Sequence, residues 1–381
     1  MTKEASHSSV RPQVAGSLCS RFRTTKSDCA LCEEVCPKQA VRLSNEGPVI
    51  SEQCVGCGAC YAICPTAAFD LPARADLAII EEMRDSDDPR PEQPYAISCR
   101  RADTTAELVL PCLGRLTEAL LVEPMGLGAS AVEIRRPACE KCSLTKAVTS
   151  LDLVLQRARG LYEMVGLAGG QLRERRVALR AAKQSAPPDV SRRGFVGALG
   201  KGALGLASLA IPTPEAKQAQ PPADFRKILA ERPENRKRSA LLESLKGFSP
   251  ARTMAVPAQN ALLADIVVSR KCSACGTCVL LCPTMAISLI EREESFCLTF
   301  RPAQCVNCRV CRQVCNQEAL DFKAEATLNS LLGDREKTLL QAPQKTCPVC
   351  RGRYLGGDDM EFCPLCLDRV RKQQSMLAKL G

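Results

Sequence analysis

Cys272, Cys275, Cys278 and Cys282 are spaced C-x2-C-x2-C-x3-C and followed by Pro283. Cys305, Cys308, Cys311 and Cys315 repeat the spacing, with Asn316 in the proline's place. Thiolates in such a run are metal ligands. Three in one short loop wrap three irons of a four-iron cubane, and the fourth points away to the neighbouring cluster. This crossing assigns one [4Fe–4S] cluster to Cys272, Cys275, Cys278 and Cys315. It assigns another to Cys282, Cys305, Cys308 and Cys311. Asn316 weakens a turn preference but removes no ligand. Cys297, within the string FCLTF, reads as a buried core thiol in a hairpin.

An earlier segment repeats the scheme with one displaced ligand. Cys54, Cys57, Cys60 and Cys64, then Pro65, keep the spacing, whereas Cys19, Cys29, Cys32 and Cys36, then Pro37, read C-x9-C-x2-C-x3-C-P. The crossing gives one cluster to Cys19, Cys29, Cys32 and Cys64, and the other to Cys36, Cys54, Cys57 and Cys60. Without Cys19 as a ligand, the first of these is a three-iron site. Both eight-cysteine segments resemble the bacterial two-cluster ferredoxin family, and that resemblance implies electron transfer.

Two further groups of four differ. Cys99, Cys112, Cys139 and Cys142 read C-x12-C-x26-C-x2-C. Their surroundings alternate: strands near Tyr95–Ser98 and Leu108–Pro111, a helix through Leu113–Leu121, and a strand at Ala131–Ile134. Cysteines at the carboxyl ends of strands converge on one site. Pro111–Cys112, Gly114–Arg115, Gly128–Ala129 and the Cys139/Cys142 pair resemble thioredoxin-like [2Fe–2S] ferredoxins. They resemble still more the delta subunit of methyl-viologen-reducing hydrogenase. That resemblance implies one [2Fe–2S] cluster; a structural zinc or free thiols are the alternatives. Cys347, Cys350, Cys363 and Cys366 read C-x2-C-x12-C-x2-C, the layout of a zinc ribbon, which implies Zn²⁺ or, in a rubredoxin-like reading, one iron.

The elements that must position these ligands form an α+β multidomain chain. Residues 15–72 and 263–325 are two ferredoxin-like dicluster modules. Residues 93–165 are a small α/β, thioredoxin-like domain, and residues 340–381 a zinc-ribbon-like knuckle pair with a helical tail. Residues 166–262 hold no cysteine and read as a linker. A helix is expected from Leu151 to Lys183, with Leu151, Val154, Leu155, Ala158 and Leu161 on one face. Another is expected near Phe225–Phe248, where Arg226, Lys227, Arg236, Lys237 and Arg238 read as a solvated face.

Composition narrows the function. The chain has 25 Cys, one His and no Trp. Disulfides suit short secreted chains, and residues 1–18 carry no apolar signal run. The lone His7 excludes a Rieske centre, which needs two histidines, and histidine acid–base catalysis is not expected. The formal net charge is +10. Six four-thiolate sites would contribute roughly −12 and leave the loaded protein near −2. With few aromatic residues to stack bases, nucleic-acid binding is not expected. No G-x-G-x-x-G string opens a βαβ unit, so no flavin or nicotinamide site is expected. The glycines of Gly56-Cys57-Gly58 and Gly166–Gly170 belong to a cysteine loop and to the linker.

Ser191-Arg192-Arg193-Gly194-Phe195-Val196 matches the twin-arginine export string, with a Gly/Ala-rich stretch from Ala198 to Ile211 behind it. Cysteine-rich segments precede it, and Lys201 interrupts the short apolar stretch, so neither a cleaved signal nor a span is expected. A gene-fusion relic, a dock for a twin-arginine chaperone or a membrane surface, and an ordinary helix are the readings. The C-terminal half resembles ferredoxin-type accessory proteins of periplasmic molybdoenzymes. The expected function is an electron relay between redox enzymes, with no independent catalysis. Hydrogenase, heterodisulfide-reductase-like and molybdenum enzymes are the partner classes. The setting is cytoplasmic or membrane-associated, export being the alternative. The rival reading is an accessory or maturation protein for a metalloenzyme.

Overall fold

The computed structural model describes residues 11–44, 46–71, 74–85, 93–102, 105–179, 229, 233–248, 255–257, 264–292, 295–327, 332, 336–355, 361–363, 366–370 and 372. The twin-arginine-like string and the end of the helical tail lie outside them. The layout is α+β and multidomain.

The N-terminal module comprises β1 (Gln13–Val14), α1 (Ser20–Arg23), α2 (Leu31–Glu34), β2 (Val41–Ser44), β3 (Gly47–Ile50), α3 (Ala59–Ile63) and β4 (Phe69–Asp70). β1 pairs antiparallel with β4 and closes the module; β2 and β3 form a hairpin between the two cysteine loops. Its core is thin. Beside Leu18, Val41, Tyr61 and Phe69, buried cysteines fill much of it. So small an apolar core needs a further staple, which metal supplies.

α4 (Asp76–Asp85) leads into the middle domain, built from β5 (Pro94–Cys99), β6 (Leu108–Leu110), α5 (Glu118–Gly126), β7 (Ala131–Arg136), α6 (Leu151–Val165) and β8 (Leu172–Arg176). The sheet order is β6-β5-β7-β8 and every pairing is parallel. This corrects the thioredoxin-like expectation. A thioredoxin sheet is mixed, whereas this is the doubly wound order, whose strands reverse direction of addition between β5 and β7. α6 buries Leu151, Val154, Leu155, Ala158 and Leu161 as its periodicity predicts, each contributing about 1.5–3 kcal/mol where large and aliphatic. It ends at Val165 because Gly166 takes φ +79° as its C-cap, and the chain turns back into β8, within the stretch that reads as linker. α5 begins at Glu118 rather than Leu113: Leu113–Arg115 form a 3-10 turn, in which a Cβ on Gly114 would stand 2.0 Å from the Ala147 carbonyl oxygen.

α7 (Arg236–Leu245) packs against α4 and α5, burying Leu241 and Leu245 in the middle domain's core. β9 (Ala255–Pro257) follows. The C-terminal module repeats the N-terminal plan with β10 (Ile266–Val268), α8 (Thr277–Leu281), β11 (Ile287–Glu291), β12 (Ser295–Phe300), α9 (Val310–Gln313), β13 (Leu320–Phe322) and β14 (Glu325–Thr327). β10 pairs with β13 as β1 does with β4, and β14 pairs with β9. The β11–β12 hairpin is longer than its counterpart and buries Cys297. β15 (Lys337–Thr346) pairs along β12, then turns through Cys347 and Cys350 into β16 (Arg353–Leu355). The ribbon is therefore continuous with the C-terminal module's sheet.

Candidate cluster and metal centres

The knuckles share a backbone pattern. The residue three after each fourth cysteine has positive φ: Gln39, Ala67, Met285 and Glu318, after Cys36, Cys64, Cys282 and Cys315. The turn so formed aims the next N–H at the sulfur. Ala40 donates to Cys36 Sγ at 3.1 Å, Ala68 to Cys64 Sγ at 3.4 Å and Ala319 to Cys315 Sγ at 3.3 Å. In the three regular loops, Gly56, Ala274 and Asn307 are left-handed, as are Gly58, Gly276 and Arg309 just before the helices. Alternation of this kind turns successive N–H groups inward as an anion nest. The loop with the displaced ligand lacks both positions. Cys19 there follows a 3-10 turn, Gly16–Leu18, and heads α1.

Each module gathers its sulfurs into two sets. Burial pushes the Cys32 thiol up to about 12, with Cys64, Cys29 and Cys19 adding to the rise. Burial raises Cys60 strongly, with Cys57, Cys54 and then Cys32 adding. Cys57 is raised by burial and by Cys36 and Cys54. Cys64 thus acts on Cys19, Cys29 and Cys32, while Cys36 and Cys54 act on Cys57, and Cys54 and Cys57 on Cys60. In the second module, burial pushes Cys278 up to about 12, with Cys272, Cys275 and Cys315 adding. Cys311 is driven well up by burial and by Cys308, Cys305, Cys282 and, more weakly, Cys278. Buried thiols so crowded resist ionising unless a cation offsets their charge. This donor chemistry fits iron–sulfur clusters.

The middle four cysteines follow the carboxyl ends of β5, β6 and β7, at the point where the sheet order reverses. Burial pushes Cys112 up to about 12; Cys57 of the N-terminal module adds to this, then Cys99 and Cys139. Cys139 is raised by burial and by Cys99 and Cys142, against the opposing pull of Arg136. Arg101 Nη1 lies 3.7 Å from Cys142 Sγ. The set therefore carries two nearby guanidinium groups.

In the ribbon, the sulfurs of Cys347, Cys350, Cys363 and Cys366 all lie within 4.8 Å of one another. Cys350 and Cys363 are 3.6 Å apart, against roughly 3.8 Å for thiolates tetrahedral about one zinc. Among the described residues, no other set of Cys, His, Asp or Glu ligands closes to that spacing. Burial disfavours the Cys347 thiolate, yet N–H groups of Cys350, Cys363 and Val349 outweigh it and bring the thiol down to about 6.

The seams between modules run beside these sets, and the sequence patterns do not reveal them. Arg115, three residues after Cys112, is buried against the N-terminal module. Its Nη1 lies 2.8 Å from Asp76 Oδ1, its Nη2 donates to the Arg74 carbonyl at 2.7 Å, and its guanidinium sits 4.1 Å from the Tyr61 ring centre. Gly58, in the Cys57 loop, lies so close that a Cβ there would stand 2.4 Å from Arg115 Cδ. Between the two eight-cysteine modules, Lys26 Nζ donates to Asn316 Oδ1 at 2.8 Å and Gln313 Nε2 to Asp28 Oδ1 at 3.4 Å. Buried Arg23 donates to the Leu280 carbonyl at 3.3 Å. Asn316, which departs from the proline pattern, thus supplies an acceptor at the seam.

Residues 26–73 match the LdpA Fe-S cluster-binding domain, and residues 266–288 match the 4Fe-4S binding domain. No curated protein and no solved structure matches the chain. The chain is an iron–sulfur protein. Cys19 precedes the first matched region, so its placement rests on the geometry alone.

Proposed function

We propose that this iron–sulfur protein is an electron carrier that holds four [4Fe–4S] clusters on the four crossed sets, one [2Fe–2S] cluster on Cys99, Cys112, Cys139 and Cys142, and one Zn²⁺ on the ribbon. The observation that carries this is the adjacency of the sets. The Asp28 and Lys26 contacts set the Cys29 loop against the Cys315 loop, and charge on Cys57 is felt at Cys112, on Cys32 at Cys60 and on Cys278 at Cys311. Clusters, when bound, accept and release single electrons. The chain's residues bind them, bury nine of their twenty ligands and fix their order. A zinc-only role for the middle set is less well supported, since its sulfurs do not close to the single-ion spacing of the ribbon. Among the sixteen cysteines of the two ferredoxin-like modules, Cys275 is the exposed one. Its set is the approach we assign to a donor or acceptor oxidoreductase, of the hydrogenase, heterodisulfide-reductase-like or molybdoenzyme kind. No helix among the described residues is long and apolar enough to cross a membrane. Peripheral docking of the carrier, by a membrane surface or a twin-arginine chaperone, belongs to the same proposal.

Anaerobic titration with dithionite tests the carrier reading. Uptake of about five electrons per chain is expected, one per cluster, with their return to a one-electron acceptor and no loss of iron. Clusters that take up no electrons, or are shed on cycling, would favour a maturation protein.

A further inference from the structure

We infer that Lys237 and Arg238 are positioning residues that raise the reduction potentials of one cluster in each ferredoxin-like module. The inference rests on the cluster assignment above.

Successive helix residues project about 100° apart, so neighbours on a helix reach different bodies. α7 uses this at its N-terminus. Asn235 caps the helix by accepting the Arg238 backbone N–H at 2.9 Å and donates to the Pro65 carbonyl at 3.4 Å. Lys237 then reaches the end of α3 and donates to the carbonyls of Tyr61, Ala62 and Cys64 at 3.3, 2.8 and 2.5 Å. These are the carbonyls that a helix leaves without partners at its negative end. Burial lowers the Lys237 pKa, against Glu118 and Cys64, but three carbonyls need three N–H donors, which only the protonated ammonium has. Arg238, 6% exposed, turns the other way. Its Nε donates to the Ala303 carbonyl at 2.7 Å and its Nη2 to Pro302 at 3.4 Å, in the 3-10 turn that delivers Cys305.

Two consecutive residues thus fix one positive charge beside Cys64 and one beside Cys305. A partly buried charge is weakly screened. It favours the reduced cluster, which carries one more electron, so its removal lowers the potential. Glu118, 3% exposed and 3.5 Å from Arg157 Nη1, lines the same cavity as both cations and opposes them.

The test is an EPR-monitored potentiometric titration of the full iron-loaded chain. Cys29→Ala and Cys308→Ala assign signals to the Cys64 and Cys305 sets. In Lys237→Gln, the reduced-to-oxidised ratio of the Cys64 set at a fixed potential is expected to fall about tenfold, ~59 mV for one electron. In Arg238→Gln the Cys305 set falls likewise. Lys237→Arg and Arg238→Lys should titrate like the wild type, whereas a purely structural tie would leave the midpoints of iron-loaded neutral variants unmoved as well. Glu118→Gln should raise both midpoints, and it decides the matter if the neutral variants do not load iron. Iron-loaded neutral variants with wild-type midpoints, or an unmoved Glu118→Gln, would overturn the inference. A wild-type chain without EPR-active clusters would instead refute the cluster assignment beneath it.

Discussion

A Cys29→Ala, Cys64→Ala double variant is expected to hold about four iron atoms fewer than the wild type, the same deficit as either single variant. Cys64 stands in one continuous motif with Cys54, Cys57 and Cys60. Its charge is nevertheless felt at Cys29, Cys32 and Cys19, each of whose pKa values it raises. Two substitutions within one set remove one cluster, so their effects do not add. A Cys54→Ala, Cys64→Ala pair strikes both sets and is expected to lose about eight irons. Colorimetric iron assay with EPR spin counting distinguishes the cases. Additive loss in the first pair and non-additive loss in the second would mean that the ligands follow sequence motifs rather than crossed sets.

Arg115→Met is expected to lower stability by about 3–5 kcal/mol, because it leaves Asp76 buried without its counter-charge. Asp76 is 0% exposed and Arg115 2%. The substitution also removes the bond to the Arg74 carbonyl and the cation over Tyr61. The Arg115→Met, Asp76→Leu double variant should recover much of the loss, since two apolar groups replace a buried pair at little cost. Denaturant unfolding of the iron-loaded protein, followed by tryptophan-independent far-UV circular dichroism, gives the comparison. Equal stability of Arg115→Met and wild type would show that the pair does not hold the seam that brings Cys112 to Cys57.

The proposed pairing of sets follows from the cysteine spacings, because a short loop can offer only three ligands to one cubane and must send its fourth elsewhere. The backbone that realises this is less visible. Gln39, Ala67, Met285 and Glu318 adopt left-handed φ without being glycine, so no residue type marks the turn. Local periodicity locates the start of α6 but carries the expected helix to Lys183, past Gly166, which ends it at Val165, and β8 reads Leu-Arg-Glu-Arg-Arg and has no apolar alternation to announce a strand. It is an edge strand held by backbone pairing to β7. The parallel order of the middle sheet likewise depends on long-range pairing that spacing does not encode. The charge run near Arg236 reads as a solvated face. The structure leaves Arg236 exposed but commits Lys237 and Arg238 to carbonyls of two modules. Charged residues at seams look like surface charge until their partners, distant in sequence, are known.

Metal content is the most direct test of the central claim, that two dicluster modules, a middle cluster and a ribbon ion share this chain. Anaerobically purified protein, analysed for iron and zinc per chain, is predicted to carry about 18 Fe and about one Zn. A value near 8 Fe would contradict the account, because only one of the two ferredoxin-like modules would then hold its clusters.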